Sequence, residues 1–237
     1  IAVAGTVEGV AVADVPHYWP TTLNPFGRRW FADNILGGTI TSGKFEFKVP
    51  PEVFAGGPIP SDIVDARFVF EGGRASYWDT FPDVTEAAGS GHITGSFLEL
   101  RPESARNGGV ALSDGVIRLE GLNEEQRTAS IGAVGTGSLS AFLQLLDHEP
   151  LRVASKMRIG ASPVSGLVAA RARFRFPVKR GLTPNEISYA AAANVRGAAI
   201  ADLAQGYDVD EGDLFVRIDG AGAGANGVVR INGVSAE

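Results

Sequence analysis

Cysteine is absent from the 237 residues, so this chain contains no disulfide, no thiolate nucleophile and no sulfur-ligated metal. That absence leaves the compartment open, since periplasmic and cytosolic proteins alike can do without cysteine. Histidine is scarce. His17, His92 and His148 are the three present, and none has a second ligand at a metal-binding spacing. No run of about 18 apolar residues occurs, so no segment reads as a membrane-spanning helix. An excess of positive charge is missing as well. A formal net charge of −6 argues against a nucleic-acid partner, whose phosphate backbone attracts a basic surface. There is neither a starting methionine nor a charged-then-apolar leader, and the chain opens on IAVAGTVEGV already in a strand-like rhythm. We therefore expect a piece of a longer protein, with any membrane anchor or export signal outside it.

What is present is alternation. In Lys44 to Val49, Phe45, Phe47 and Val49 share one side while Lys44, Glu46 and Lys48 share the other. In Ala170 to Lys179, Ala172, Phe174, Phe176 and Val178 oppose Arg171, Arg173, Arg175 and Lys179. Similar patterns run through 66–71, 96–101, 116–120, 152–159 and 214–219. Successive strand side chains point to opposite faces, so each segment predicts a strand with one apolar and one wet side. Sheets solvated on one face are usually antiparallel. Between the strands stand Gly56-Gly57, Gly72-Gly73, Asn107-Gly108-Gly109, Asp114-Gly115, Gly121, Glu211-Gly212, Asn226-Gly227 and Asn232-Gly233, each of which reads as a turn. The arginine cluster (with Lys179 and Arg180) reads as a solvated strand face, with an anion or headgroup site as the alternative.

Helices are expected in three places. Asn24-Pro25 caps and opens the first, in which Phe26, Trp30 and Asn34 share a side, Arg28, Arg29 and Asp33 favour water, and Gly37-Gly38 is the stop. Ser138 caps the second, which carries a stripe of Leu139, Phe142, Leu143 and Leu146 up to Pro150. A short third runs over Ile200 to Gln205. Short amphipathic helices need a surface to bury against, so these are expected at the ends or mouth of the sheet. Tyr18, Trp19 and Trp30 read as a hydrophobic staple around the first helix, or as an aromatic plug at a groove mouth.

Catalytic constellations are sparse. Asp208, Asp210, Glu211 and Asp213 cluster, but Gly212 does not fall where a calcium loop needs its glycine, so an exposed acidic turn is expected. The glycines of 220–227 join two predicted strands without a following helix to cradle a phosphate. Gly135 to Ser140 does open a helix, but no Walker lysine follows the serine. No GxSxG elbow is present. A non-enzymatic protein with neither cofactor nor metal is the expectation.

Three segments together resemble the AsmA-like family of bacterial envelope proteins, in particular its long YhdP-like members. They are His17 to Pro50, with Tyr18-Trp19-Pro20 and Arg28-Arg29-Trp30; Gly135 to Leu151, a glycine-led leucine helix; and Asn194 to Glu237, ending in Asn232-Gly233-Val234. The anchor and further repeats of full-length members lie outside 1–237, which the resemblance treats as one β-groove segment. It implies a role in moving phospholipid between the inner and outer membranes, in the periplasm, along an apolar β groove. On that reading Phe45, Phe47, Phe68, Phe70, Leu98, Leu100, Phe174 and Phe176 contact lipid, and Trp19, Phe26, Trp30 and Phe142 lie on helices at the mouth. The expected fold is mainly β: a long, strongly curved antiparallel sheet with two or three short amphipathic helices, open as a groove or closed as a sandwich or barrel. In the closed form the same phenylalanines are core, and the chain is a scaffold binding another envelope protein.

Overall fold

The computed structural model describes the chain except for residues 1, 20, 22–24, 55–59, 79, 150, 157, 158, 160–162, 180, 204–206 and 237. Twelve strands form one sheet in strictly sequential order, every neighbouring pair antiparallel. The first six are β1 (Ala2–Ala11), β2 (Ile35–Lys48), β3 (Val64–Ala75), β4 (Val84–Thr94), β5 (Phe97–Asn107) and β6 (Val110–Glu120). They continue as β7 (Thr128–Ser138), β8 (Val164–Pro177), β9 (Ser188–Leu203), β10 (Tyr207–Asp219), β11 (Gly222–Ile231) and β12 (Val234–Ala236). β1 and β12 do not pair, so the sheet is open and curved; the sandwich and barrel alternatives do not describe this chain.

A meander sends its connections alternately to the two ends of the sheet. Among the described residues five short α-helices occupy them, more than the two or three expected. Those between β1 and β2, α1 (Val15–Tyr18) and α2 (Pro25–Asn34), and those between β7 and β8, α4 (Leu139–Leu146) and α5 (Val153–Lys156), lie at one end. At the other, among the described residues, lies α3 (Pro51–Phe54). Ser138 caps α4 as expected: its hydroxyl accepts the Ala141 amide at 3.1 Å. The expected cap Asn24 lies outside the described residues.

Two expected elements change type. The alternating stretch 152–159 holds α5 instead of a strand, because the Asp147 carboxylate accepts both the amide (2.7 Å) and the hydroxyl (2.8 Å) of Ser155 and fixes a helical turn there. The predicted helix from Ile200 continues β9 to Leu203, where Ile200 pairs with both Val164 and Val209; residues 204 and 205 lie outside the described ones. A ladder with partners on both sides outweighs the weak helical propensity of so short a run.

Several expected turns are bulges instead. Seven of the eleven pairings shift register. Gly72 (φ 62°) and Asp114 (φ 50°) lie inside β3 and β6, beside such shifts, and Glu211-Gly212 follows one in β10. An extra residue in a strand needs the same positive φ as a tight hairpin, so the sequence signal is shared between the two. Asn226-Gly227 is likewise within β11, and the acidic stretch 208–213 is part of β10 and not a turn. Asn107-Gly108-Gly109, Gly121 and Asn232-Gly233 do turn the chain; Gly56-Gly57 falls outside the described residues.

The core is thin. Among the described residues, the buried apolar side chains are Ile63, Val64, Ala105, Val110, Ala129, Ala154, Ile159, Val168, Val195 and Ala198, without a single Phe, Leu or Trp. The accessible surface is 14519 Å², against about 10,000 Å² for a compact monomer of this mass. What core there is gathers under α4, where Leu139 and Phe142 pack on Val168, Val195 and Ala198.

Candidate functional site

Residues directly opposite in an antiparallel pair point to the same side of the sheet. Following partners from strand to strand therefore traces each face. One row runs Gly43–Phe68–Gly91–Leu100–Ile117–Ile131–Phe174–Tyr189, from β2 to β9. The row beside it runs Val3–Phe47–Val64 on β1 to β3, and Phe45–Ala66–Ile93–Leu98–Leu119–Ala129–Phe176 on β2 to β8. Phe70, opposite Gly89, belongs to the same side. All eight residues expected to contact lipid thus lie on one face.

Among the described residues no second sheet covers that face. Phe45, Phe47, Phe68, Phe70, Leu98, Leu100 and Phe176 are half-buried, and Phe174 is 42% exposed. The alternating residues on the other side are mostly more exposed, as along β2 and β3. The apolar side chains therefore shade one another more than the polar ones do. Glycine makes the shading possible. The Phe68 ring lies over Gly91, where a Cβ would stand 2.3 Å from its Cζ, and the Phe45 ring lies over Gly5, where a Cβ would stand 2.9 Å away. Ring pairs Phe45–Phe47 (5.5 Å) and Phe68–Phe70 (6.3 Å) tile the surface along each strand.

The sequence reading did not name Ile93, Ile117, Ile131 or Tyr189 as members of this face, although Ile117 lies in the alternating stretch 116–120. Ile93 and Ile131 are identified by register with a neighbouring strand, since β4 and β7 are rich in glycine, alanine and serine and carry a weak alternation.

The opposite face is polar. Its matching row is Lys44–Arg67–His92–Glu99–Arg118–Ser130–Arg175–Ser188. Glu99 accepts hydrogen bonds from Arg101 (2.8 Å) and Arg118 (2.7 Å), which hold its carboxyl below the ordinary value. Arg118 also donates to Glu120 at 3.0 Å and lies over the Phe97 ring. His92 bonds Asp65 (3.2 Å) and meets Phe97 edge-on, so it is a member of this polar lattice. His148 packs on Phe81, and His17 lies 3.9 Å from Asp14. Among the described residues no group of three metal-ligating side chains comes together.

The helical end divides the four mouth residues. Phe142 sits on the apolar face, its ring over Gly135 and Gly137 of β7. Trp19 is half-buried and packs on Phe31 at 6.1 Å. Phe26 and Trp30, by contrast, are 43% and 46% exposed, and Tyr18 is 78% exposed, so the expected staple of Tyr18, Trp19 and Trp30 does not form. Instead Arg28, expected in water, turns inward and donates its Nε–H to the Pro16 and Trp19 carbonyls at 3.1 and 3.2 Å. A loop that needs its carbonyls satisfied outweighs the apolar stripe, because α2 has almost no sheet to rest on.

Among the described residues no helix is long and apolar enough to cross a membrane. No protein-family model, no curated protein and no solved structure matches this chain.

Proposed function

We propose that this chain is a non-catalytic, lipid-holding segment of an AsmA-like envelope protein, carrying phospholipid acyl chains on its apolar face in the periplasm. The observation that supports the reading best is the uncovered face itself. From Phe45 and Phe47 on β2 to Phe174 and Phe176 on β8 it crosses six strand spacings, about 29 Å. A contiguous apolar surface larger than a few hundred Å² is uncommon on a soluble monomer and calls for an occupant. Hydrocarbon laid there leaves water at about 0.8 kcal/mol per buried methylene, whatever its headgroup. The polar headgroup stays at the rim, in solvent, while the charged outer face keeps the loaded protein wetted. Phe142 and α4 close the face at the helical end, so chains enter along the length of the sheet or from the opposite end.

The test is photo-crosslinking from residues replaced by a photoreactive amino acid at Phe47, Phe70 and Phe174, with Val69 on the outer face as control, in protein made in a Gram-negative host. Phospholipid adducts at the first three positions and none at Val69 are expected. No adduct at any of the three, or equal adducts at Val69, would sink the reading.

A further inference from the structure

β8 presents three successive cations on the polar face that have no counter-ion among the described residues. Many other arginines of the sheet are held by carboxylates: Arg67 by Asp65, Arg101 by Glu99, Arg106 by Glu86, Arg118 by Glu99 and Glu120, and Arg230 by Glu211; among the described residues no carboxylate holds Arg196 on β9 or Arg217 on β10, and Arg217, opposite Ala192, stands on the same side as Arg171. Arg171, Arg173 and Arg175 of β8 are exposed and have no carboxylate within ion-pair distance among the described residues. Lys179, four residues on, is already taken by Glu186 at 2.5 Å.

Their surroundings are built small. On β7 the three face Val134, Gly132 and Ser130; on β9 they face Ala192, Ala190 and Ser188. A methyl group added at Gly132 would meet only the Arg173 side chain at 3.6 Å and the Ala172 carbonyl at 3.7 Å, so the floor beside the row is open. The result is a shallow depression of ≈ 640 Å³ whose lining is largely apolar, Val116, Val134 and Ala190 among it, and whose polar groups include the three arginines, Ser130, Ser188 and Asp114. Among the described residues Asp114 is the one carboxylate bordering it, and it is bonded by the Ser113 hydroxyl. Strand geometry spaces the points where these side chains leave the backbone about 6.8 Å apart along one side. Three like charges so placed repel one another, in a chain whose net charge is −6.

We propose that this row binds phosphate groups, each guanidinium presenting its fork of donors to a phosphate oxygen pair, with the Ser130 and Ser188 hydroxyls completing the coordination. The site takes a ligand carrying several phosphates, from either a soluble polyphosphate or the clustered headgroups of an anionic lipid surface. It lies on the opposite side of the sheet from the apolar face and does not depend on lipid binding there.

The test compares the wild type with R171Q/R173Q/R175Q and with R67Q/R106Q/R230Q, which makes the same change of net charge at arginines already paired. Inorganic tripolyphosphate is titrated by calorimetry, and flotation is measured with vesicles of phosphatidylcholine alone or with 30% phosphatidylglycerol. The expected result is binding by the wild type that weakens with salt, a loss of at least tenfold in the first variant and under threefold in the second. Binding of tripolyphosphate alone assigns a soluble ligand; flotation with the anionic vesicles alone assigns a headgroup. Equal losses in both variants, or no binding of either probe by the wild type, overturn the proposal. The first variant changes only exposed side chains, and circular dichroism checks that it folds. F68E, which alters the apolar face, is expected to leave this binding unchanged, so failure of one site is distinguishable from failure of the other.

Discussion

Placing a carboxylate on the apolar face at Phe68 separates a surface that holds a guest from one that is merely core. Phe68 and Val69 are neighbours in β3 on opposite sides of the sheet; Phe68 is half-buried over Gly91, whereas Val69 is 43% exposed. A fully buried phenylalanine costs about 3–5 kcal/mol on truncation, and an uncovered one about half of that or less. Phe68→Glu is therefore expected to lower stability by about 1–2 kcal/mol and to leave the protein folded. With acyl chains laid across it, the new carboxylate loses its water, a penalty of several kcal/mol. Taking about 3 kcal/mol of that as lost affinity gives a fall of roughly 100-fold. The assay is displacement of a fluorescent phospholipid analogue, paired with mass spectrometry of lipid retained through purification; chemical denaturation supplies the stability. Val69→Glu should change neither quantity. Phe174→Glu, at a position already 42% exposed, repeats the test with little cost to folding. Undiminished lipid retention in both Phe68→Glu and Phe174→Glu would refute the reasoning.

Other consequences are local. Gly91→Val should destabilise by about 1–3 kcal/mol, by forcing the Phe68 ring off its seat, and Phe68→Ala in the same chain should recover part of that loss in a double-mutant denaturation cycle. Asn107 is 3% exposed, donates to the Pro82 carbonyl at 2.9 Å and accepts from the Tyr77 hydroxyl at 3.4 Å, so Asn107→Leu should cost about 1–3 kcal/mol in a thermal melt by leaving buried groups unpaired. Trp30→Ala should cost about 0.5 kcal/mol or less, since the ring is exposed, whereas Val110→Ala should cost about 2 kcal/mol. Hydrogen bonds from Lys179 and then Thr183 push the Glu186 carboxyl down to about 2, so the contribution of this link is present above pH 4.5 and is lost as pH falls from there through 2. A carboxyl-carbon NMR titration of Glu186 reads this directly, and a midpoint near 4.5 would contradict it.

The strands were legible wherever the two faces differ strongly in chemistry. Lys44 to Val49 and Ala170 to Pro177 alternate without a break, and both are strands with the aromatic side in common. What alternation cannot supply is which strand stands next to which, or that nothing covers the apolar side. A core phenylalanine and an uncovered one look the same in a single segment. The strands made of small residues were hardest to read: β11 appeared as a glycine-rich link because Gly222 to Gly227 have almost no side chains to alternate. Bulges were misread as hairpins for a physical reason, since Gly72 and Asp114 adopt the backbone angle that a turn also needs. The staple at α2 failed because sequence spacing shows which residues share a side of a helix, not whether a surface is there to receive them. The unpaired state of Arg171, Arg173 and Arg175 is likewise invisible until the neighbouring strands prove to carry valine, glycine, alanine and serine opposite them and no acid.

The register shifts bear on how this protein can be probed residue by residue. On β5 the apolar side is reached by Leu100 and, beyond the extra residue near Glu103, by Ala105; on β6 it is reached by Ile117 and then, past Asp114, by Leu112. Even-numbered and odd-numbered positions therefore exchange sides partway along these strands. A cysteine-labelling scan through β5 should show its protected positions switch from even to odd between 100 and 105, and β6 should show the same switch, from even at 112 to odd at 117. Any tunnel of hydrocarbon contacts drawn by simple parity from one end of a strand would emerge on the wrong side at the other.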